Sequence, residues 1–306
     1  MQSDAARVCV LRINSLGSSV MMHLGGPLNA EMETILRIKF WGVRGSVSCA
    51  YSDYLEYGGN TSCVELEIMG RTIILDAGTG LPWLGNDLLK RGVRDVYLLM
   101  SHFHSDHTNG FNYFKHIYIP EHSVHIRAAL NYGELTVEDL IRSQLSENLH
   151  PVQYEHLPST LECVGFHAGD VFDLFDGLHI KTYMLTHPSG CTCYRLEAEG
   201  KVLVYATDTE HTIGGTDEGL VEMMKDADLV IYDCTYTEEE LPTKLGWGHS
   251  TWNEGVRLCK LAGAKRMAMY HYSPDYNDDV VRDLEAQAQA EWGGAFGAKE
   301  GMEIIL

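Results

Sequence analysis

The stretch Ser101-His102-Phe103-His104-Ser105-Asp106-His107 decides how this chain is interpreted. It directly follows an apolar run at residues 96–100, which is typical of a buried strand. Three imidazoles and one carboxylate are therefore concentrated in a loop at a strand end. Imidazole nitrogen and carboxylate oxygen are ligands that suit Zn²⁺, and they also suit Fe and Mn. The stretch predicts a metal site.

Three later residues are candidate ligands in the same context. Each lies just beyond an apolar, strand-like run, and they are His187, Asp208 and His271. Loops at strand ends bring polar groups from remote segments to one edge of a sheet. Together with the 101–107 stretch, they supply five histidines and two aspartates, enough ligands for two metal ions.

Composition excludes several classes of function. The chain has 306 residues with 23 basic and 43 acidic side chains, which gives a formal net charge of −20. A surface with this much negative charge repels polyanions. We therefore expect no stable nucleic-acid partner and no binding to an anionic membrane. The apolar runs are also far shorter than the roughly 20 residues that a membrane-spanning helix needs.

The eight cysteines indicate a reducing compartment. None of them forms a C-x-x-C pair, and their spacing resembles no disulfide framework. We therefore expect buried free thiols and a cytoplasmic protein. Residues 1–31 differ from the rest, because no acidic residue occurs between Ala5 and Ala30. They are interpreted as an N-terminal extension of uncertain order, with a transit peptide as the alternative, before a hydrolase domain at residues 32–306.

Strand-like and helix-like patterns indicate an α+β protein. Runs typical of strands occur at residues 35–41, 64–69, 72–75, 96–100, 116–119, 124–126, 179–185, 192–197, 202–205, 229–232, 267–270 and 302–306. Helical patterns occur at residues 84–91, 137–147, 220–225, 252–261 and 278–291. Thr251 and Glu254 form a capping-box pattern, and Gly263 follows the end of that helix. Because strands follow one another as often as they alternate with helices, we expect two mixed sheets that face each other with helices outside.

The ligand pattern resembles the metallo-β-lactamase superfamily. Residues 102–107 match its H-x-H-x-D-H motif at every defined position, and the three later candidates stand in order where the remaining family ligands stand. The resemblance covers residues 35–306 and implies a four-layer αββα sandwich with two metals at one edge. It implies that His102, His104 and His187 bind the first metal, that Asp106, His107 and His271 bind the second, and that Asp208 bridges both.

A second resemblance narrows the branch. Gly248-His249-Ser250-Thr251 looks like the His-Ser-Thr segment of the phosphodiesterase branch, which includes tRNase Z and enzymes that cleave cyclic nucleotides. The glycine-containing stretches at residues 42–46 and 58–62 are similar to that branch as well. The best-known dizinc β-lactamases carry a cysteine where Asp208 falls, which argues against antibiotic hydrolysis. The alternative for His249 is a solvated residue beside a helix cap.

The expected activity is phosphodiester hydrolysis by a hydroxide held between two cations, with Zn as the expected metal and Mn or Fe as alternatives. His249 is expected to protonate the leaving group, and Asp106 to orient the nucleophile as well as bind metal. Asp76 is expected to hold a ligand imidazole by a hydrogen bond, with a turn-forming role as the alternative. Asn60 and Thr61 are expected either to support the metal ligands by hydrogen bonds, as Asp76 is, or to contact the substrate.

A small phosphodiester such as a cyclic nucleotide is the expected substrate. The largest candidate insertion, residues 131–158, carries five acidic side chains against the single Arg142, which disfavours a nucleic-acid backbone. Phe111, Tyr113 and Phe114 are candidates for stacking on a base, or for core packing. The alternatives are a thioester, lactone or lactam hydrolase, an RNA-processing nuclease, a diiron redox sensor and a catalytically silent binding module. A homodimer stays open as the oligomeric state.

Overall fold

The computed structural model describes residues 36–131 and 133–306. The predicted extension at residues 1–31 lies outside this range and stays a prediction. Within the described ranges, no helix is both long enough and apolar enough to cross a membrane. All seven cysteines in these ranges carry free thiols, and Cys163 is the one among them that is not buried.

Two mixed seven-stranded sheets form the centre of the described chain. The first sheet contains β1 (Arg37–Gly42), β2 (Cys63–Ile68), β3 (Arg71–Leu75), β4 (Asp95–Met100), β5 (Ser123–Ala129), β6 (Thr160–Phe166) and β14 (Glu303–Ile305), in the order β14-β1-β2-β3-β4-β5-β6. The second contains β7 (Val171–Phe175), β8 (Leu178–Leu185), β9 (Cys191–Ala198), β10 (Lys201–Ala206), β11 (Leu229–Asp233), β12 (Met267–Tyr270) and β13 (Ala295–Gly297), in the order β13-β12-β11-β10-β9-β8-β7.

Helices connect the parallel strands of each sheet. They are α1 (Leu81–Arg91), α2 (Ser105–Thr108), α3 (Val137–Gln144), α4 (Glu218–Met224), α5 (Trp252–Ala262) and α6 (Asp278–Glu291). Strands β3 to β6 pair in parallel, as do β10 to β13, and parallel neighbours need a crossover connection. The crossovers contain α1, α2 and α3 in the first sheet and α4, α5 and α6 in the second. The predicted αββα sandwich is confirmed.

The alternation of side chains along the strands separates two layers of core. In β3, Ile73 and Leu75 belong to the cluster that contains buried residues of both sheets. Ile74 points to the other face and packs in a second cluster with Leu84 and Leu88 of α1. This period of two is what a strand buried on both faces requires. The first sheet is therefore held between the second sheet and its own helices.

Local signals in the sequence set the ends of α5. The Thr251 hydroxyl oxygen accepts a hydrogen bond from the Glu254 amide at 3.2 Å, as an N-cap does. At the other end, Gly263 has a φ of +69°, a left-handed conformation that glycine adopts without a steric penalty. Both predicted ends of this helix are confirmed, although the Glu254 carboxylate accepts from the Arg257 guanidinium instead of completing the capping box. The cap matters for the site, because it fixes the chain directly after His249.

Some predicted elements differ from the structure. The run at residues 116–119 is a 3₁₀ turn, Lys115–Tyr118, rather than a strand. Its His116 is buried, and its Nε2 lies 3.1 Å from the Val93 carbonyl oxygen. Strands β6 and β7 were not predicted. They lie at the edges of the two sheets and are largely exposed, so their apolar pattern is weak.

Candidate metal centre

The site lies where neighbouring parallel strands end. Leu75 of β3 is paired with Leu99 of β4, and Ala206 of β10 is paired with Tyr232 of β11. This register brings the carboxyl ends of these strands to one edge, and polar residues come directly after them. They are Asp76 after β3, the 101–107 stretch after β4, His187 after β8, Asp208 after β10, Asp233 at the end of β11 and His271 after β12.

The first cluster consists of three imidazoles. One ring nitrogen each of His102, His104 and His187 lies within 4.8 Å of the others. His187 Nε2 is 3.0 Å from His104 Nδ1. His102 Nε2 is buried and has no hydrogen-bond partner within the described chain. A buried nitrogen without a partner is costly unless something else binds it, so this atom is a candidate metal ligand.

The second cluster is entirely buried. It consists of Asp106, His107, Asp208 and His271, whose ligand atoms again lie within 4.8 Å of one another. His271 Nε2 is 3.2 Å from Asp106 Oδ2 and 3.3 Å from His107 Nε2. The Ser46 amide donates to the same Asp106 oxygen at 2.7 Å and so fixes its position.

Asp208 lies between the two clusters and presents one carboxylate oxygen to each. Its Oδ1 is 3.2 Å from His107 Nε2 and 3.3 Å from His271 Nε2. Its Oδ2 is 3.7 Å from His102 Nε2 and 3.7 Å from His187 Nε2. A carboxylate in this position can bind two ions at once.

The spacing of these atoms fits metal ions. Two ligand atoms at about 2.1 Å from one Zn²⁺ in tetrahedral geometry lie roughly 3.4 Å apart. The separations between Asp208 and the four imidazoles, 3.2 to 3.7 Å, are close to that value. Each cluster offers four ligands once Asp208 is counted in both, and the mixture of nitrogen and oxygen also suits Mn and Fe. The residues present therefore fit two divalent cations.

Asp76 positions the second cluster through a hydrogen bond to the His107 ring nitrogen that points away from the other ligands. It is fully buried, and its carboxylate accepts hydrogen bonds from the Ser101 amide and hydroxyl, both at 2.7 Å, and from the Tyr205 hydroxyl at 2.8 Å. His107 Nδ1 is 2.8 Å from the same carboxylate. With Nδ1 donating to Asp76, the lone pair of Nε2 faces the cluster, and this is how carboxylates orient metal-binding imidazoles.

Two other imidazoles are oriented in the same way. His187 Nδ1 lies 2.8 Å from the Gly248 carbonyl oxygen, and His271 Nδ1 lies 2.9 Å from the Thr235 hydroxyl. A carbonyl can only accept, so His187 donates from Nδ1 and its Nε2 is left as a ligand. The Gly248 position is tight, because a Cβ there would lie 2.1 Å from His187 Nδ1.

The charge states of the first cluster and of Asp208 suit metal binding. Burial lowers the pKa of His102 well below its usual value, and burial also lowers that of His187, which keeps both rings neutral. Burial alone would raise the pKa of Asp208, but His271 and His107 hold it well below its usual value. Neutral imidazoles and ionised carboxylates are the forms that bind metal. Burial alone would lower the pKa of His107, but the surrounding carboxylates raise it well above its usual value, so this ring has to release a proton when metal binds.

The backbone is strained at the same strand ends. Asp76, Asp208 and His271 have φ angles of +61°, +52° and +59°. A residue other than glycine in this conformation costs on the order of 1–3 kcal/mol, and such residues concentrate at functional sites. Close packing adds to this, since a Cβ at Gly45 would lie 2.3 Å from the His271 ring.

His249 lies beside the clusters. Its Nδ1 is 2.9 Å from Asp233 Oδ2 and 4.0 Å from Asp208 Oδ2, and its ring stacks on His271 at 5.0 Å. Burial lowers its pKa, but Asp233 and Asp208 outweigh that effect and raise the pKa to about 9. Asp233 therefore favours the doubly protonated, positively charged form of the His249 ring.

Asp233 is a site residue that the sequence analysis missed. Besides facing His249, it accepts hydrogen bonds from the Thr235 amide and hydroxyl, at 3.0 and 2.6 Å, and from the Thr209 amide at 3.1 Å. The signal that could have found it is its position, because it ends β11 at the same sheet edge as the other candidates.

The other predicted site residues have structural partners. Asn60 Nδ2 donates to Glu300 Oε2 at 2.9 Å, and the Thr61 and Thr79 amides each donate to the other's hydroxyl oxygen at 2.9 Å. These bonds tie residues 60–61 to the turn after Asp76. A role for Asn60 and Thr61 in substrate binding stays a prediction.

The suggested base-stacking aromatics are mostly core residues. Phe111 and Phe114 are buried in the cluster that packs under α1, so the stacking role is wrong for these two. Tyr113 is exposed. The physical reason is that the 3₁₀ turn after α2 directs both phenylalanines inward.

Comparison with known proteins agrees with this geometry. Residues 71–272 match a family described as the beta-lactamase superfamily domain. A ribonuclease Z of Haloferax volcanii is 30% identical over 138 residues, which cover 45% of this chain and 39% of that protein. The chain thus matches less than half of this relative's length.

Solved structures show the same fold. The metallo-β-lactamase fold protein YhfI from Bacillus subtilis aligns with a TM-score of 0.67 at 18% identity, over 90% of this chain and 100% of that one. Zn²⁺-bound PqqB from Methylobacterium extorquens aligns with a TM-score of 0.63 at 16% identity, over 88% of this chain and 100% of that one.

Proposed function

The chain belongs to the β-lactamase superfamily, and from this premise we propose that it is a dinuclear metal-dependent hydrolase that cleaves small phosphodiesters. The observation that carries the proposal is the position of Asp208, which presents one oxygen to each of two ligand clusters. In this proposal His102, His104 and His187 hold one cation, Asp106, His107 and His271 hold the other, and Asp208 is shared.

The residues around the clusters have complementary chemical roles. Two divalent cations supply positive charge that stabilises the reacting phosphate, and they make water a nucleophile near neutral pH. Asp106, fixed by the Ser46 amide, orients the attacking water and binds metal. His249 is protonated and held by Asp233, so it donates a proton to the departing alkoxide.

The comparisons support a phosphodiester substrate, and the charge of the chain favours a small one. The Haloferax volcanii relative is named as a ribonuclease, and ribonucleases cleave phosphodiester bonds. The PqqB structure, which has a similar fold, contains bound Zn²⁺, and this supports zinc as the metal. The net charge of −20 opposes a long polyanion, whereas the cations would offset that charge locally for a small substrate. A cyclic nucleotide is the preferred substrate.

A substrate screen tests this proposal. Zinc-loaded protein is assayed against cyclic mononucleotides, cyclic dinucleotides, bis-p-nitrophenyl phosphate, a thioester and a lactone. We expect turnover of the phosphodiesters and its loss in Asp208→Ala, with folding followed by circular dichroism. Turnover of the thioester or lactone alone would contradict the phosphodiesterase assignment.

RNA processing is the second candidate, and the ribonuclease Z relative is the observation that favours it. Residues 131–158 carry five acidic side chains, and α3, which lies in this segment, begins with Glu138 and Asp139 in its first turn. This charge opposes an RNA backbone. A precursor tRNA added to the same screen decides between the two, because efficient cleavage of that RNA with no turnover of cyclic nucleotides would favour the nuclease.

A further inference from the structure

An exposed tryptophan lies on a fixed loop at the edge of the candidate metal centre. Trp247 is two residues before His249, and 58% of its surface is exposed. The amides of Gly246 and Gly248 on either side both donate to Glu210 Oε2, at 2.7 and 2.9 Å. The Gly248 carbonyl also accepts the bond from His187. The indole is therefore exposed although its backbone is held from both sides.

A cation and a second aromatic ring accompany this tryptophan. Lys244 Nζ lies 4.5 Å from the centre of the Trp247 ring and 5.7 Å from that of Tyr236. The Tyr236 ring in turn lies 5.7 Å from the His249 ring, edge to face. The His249, Tyr236 and Trp247 rings are thus connected through neighbouring contacts, with the Lys244 ammonium between the last two. This positive charge stands in a chain whose net charge is −20.

We propose that Trp247 and Lys244, with the buried Tyr236 packed behind the lysine, form a subsite that binds a flat aromatic ring attached to the reacting phosphate, such as a nucleobase. This inference rests on the proposed function, since it names the part of the substrate that lies beside the reacting group. An aromatic face stacks on any base, and a nearby cation strengthens the attraction for a phosphorylated ligand. Trp247 is then a specificity-determining residue.

Ligand binding tests the subsite independently of turnover. Equilibrium dialysis measures the affinity of metal-replete protein for adenosine 5′-monophosphate and for ribose 5-phosphate, which lacks the base. We expect W247A to weaken binding of the nucleotide by about tenfold or more, because stacking of one base contributes roughly that much. W247F is expected to keep most of the affinity. W83A is the matched control, because Trp83 of α1 is exposed to the same extent, 59%, and it should bind like the wild type.

Catalytic specificity provides the second measurement. The ratio of kcat/KM for a nucleoside 2′,3′-cyclic phosphate to that for the cyclic phosphate of propane-1,2-diol is expected to fall about tenfold in W247A and to stay unchanged in W83A. The subsite would be contradicted if W247A bound the nucleotide as the wild type does, or if it lost affinity for ribose 5-phosphate equally. If the wild type cleaves neither substrate, the proposed function fails, and the dialysis still decides the subsite.

Discussion

His249 and Asp233 form a hydrogen-bonded pair in which the carboxylate sets the charge and the orientation of the imidazole. Burial alone would lower the pKa of an imidazole beside the ligand clusters, but the Asp233 carboxylate at 2.9 Å raises the pKa of His249 and favours its charged form. Asp233 in turn is fixed by the Thr235 and Thr209 amides. In the proposed reaction this arrangement holds the proton at Nε2, because Nδ1 is occupied by Asp233. A proton donor is needed only when the leaving group is a strong base.

We therefore expect His249→Ala to show a strong dependence on the leaving group. The kcat for an alkyl phosphodiester should fall by about 10²–10⁴, whereas that for bis-p-nitrophenyl phosphate should fall by less than about tenfold. Asp233→Asn should give the same selectivity with a smaller effect, because His249 remains but loses its partner. Metal content, measured by mass spectrometry, should stay at the wild-type level in both. Equal losses on the two substrates would remove His249 from this role.

At the residue scale, the sequence predicts the ligand candidates better than their partners. His102 to His107 form a dense motif, and His187, Asp208 and His271 stand out by their positions after strands. Asp233 shares the position at a strand end, but it and Glu210 are single carboxylates of a kind that is frequent in an acidic chain, so their signal is weaker. Which of them faces a histidine or a glycine-rich loop depends on how the strands are ordered, and that order is a property of the fold.

At the element scale, the glycine-containing loop before α5 controls the position of His187. Gly246 and Gly248 have almost the same left-handed φ, +84° and +86°, but they differ in their surroundings. A Cβ at Gly248 would meet the His187 ring at 2.1 Å, whereas a Cβ at Gly246 would have no atom within 4 Å among the described residues. Comparing an alanine substitution at each position therefore distinguishes the effect of backbone strain, which both share, from the effect of the contact with His187, which only Gly248 has.

Gly248→Ala should displace His187 and reduce zinc binding. Both alanine variants carry a backbone cost of about 1–2 kcal/mol, and the contact with His187 adds to it in Gly248→Ala, so this variant should unfold at the lower urea concentration. Zinc affinity, measured by competition with a chromophoric chelator, should fall at least tenfold in Gly248→Ala and remain unchanged in Gly246→Ala. Equal affinities in the two variants would show that the contact with His187 does not support the site.

The buried His116 in the 3₁₀ turn at Lys115–Tyr118 should make the stability of the folded chain depend on pH. Burial lowers the pKa of His116 to about 4, below the unfolded value of 6.5. Between these values the unfolded chain binds a proton that the folded chain does not, so stability falls as pH falls through this window and changes no further below about 4. Urea unfolding is measured at pH 7 and at pH 5. Between these two pH values, His116→Gln should lose less stability than the wild type does, by about 2 kcal/mol. Equal losses would contradict this explanation.

Elements were predictable where burial imposes a strong pattern. The limits of α5 follow from Thr251 and Gly263, and β12 is found at its predicted residues because it is entirely apolar. The edge strands β6 and β7 were missed because solvent exposure relaxes the pattern. The His116 turn was misassigned because a short apolar run does not distinguish a strand from another buried segment.

At the scale of the whole molecule, the two sheets contribute different parts of the site. The first sheet supplies Asp76 and the 101–107 stretch, and the second supplies His187, Asp208 and His271. The segment after β1 joins the two at this edge, since the Gly45 amide donates to the Tyr272 carbonyl at 3.0 Å. Metal ions bound here would connect the sheets, so metal binding should stabilise the whole domain.

Removing the metals should therefore lower the melting temperature. Ligands that bind only the folded state at about 1,000 times their dissociation constant add roughly 4 kcal/mol. For a chain of this size, treatment with a chelator should lower Tm by about 5–15 °C, and added zinc should restore it. Differential scanning calorimetry of both forms provides the measurement. An unchanged Tm would mean that the clusters do not bind metal tightly.

The fold class was predictable, because strands that follow one another as often as they alternate with helices indicate two facing mixed sheets. The meeting of the candidate ligands was predictable from their positions after strands and from the resemblance of their pattern to a known family. The proposed subsite for a base was not predicted. Trp247 and Lys244 are remote in sequence from residues 102–107, although Trp247 directly precedes Gly248, and Phe111 and Phe114, which follow residues 102–107 closely, are buried instead. Nearness in sequence is a poor guide there, since the chain turns inward after α2.

Anomalous X-ray diffraction at the zinc edge, from crystals of the zinc-loaded protein, tests the central claim most directly. We predict two peaks, one on each side of the Asp208 carboxylate, the first beside His102 and His187 and the second beside His107 and His271. A single peak, or peaks away from Asp208, would contradict the account.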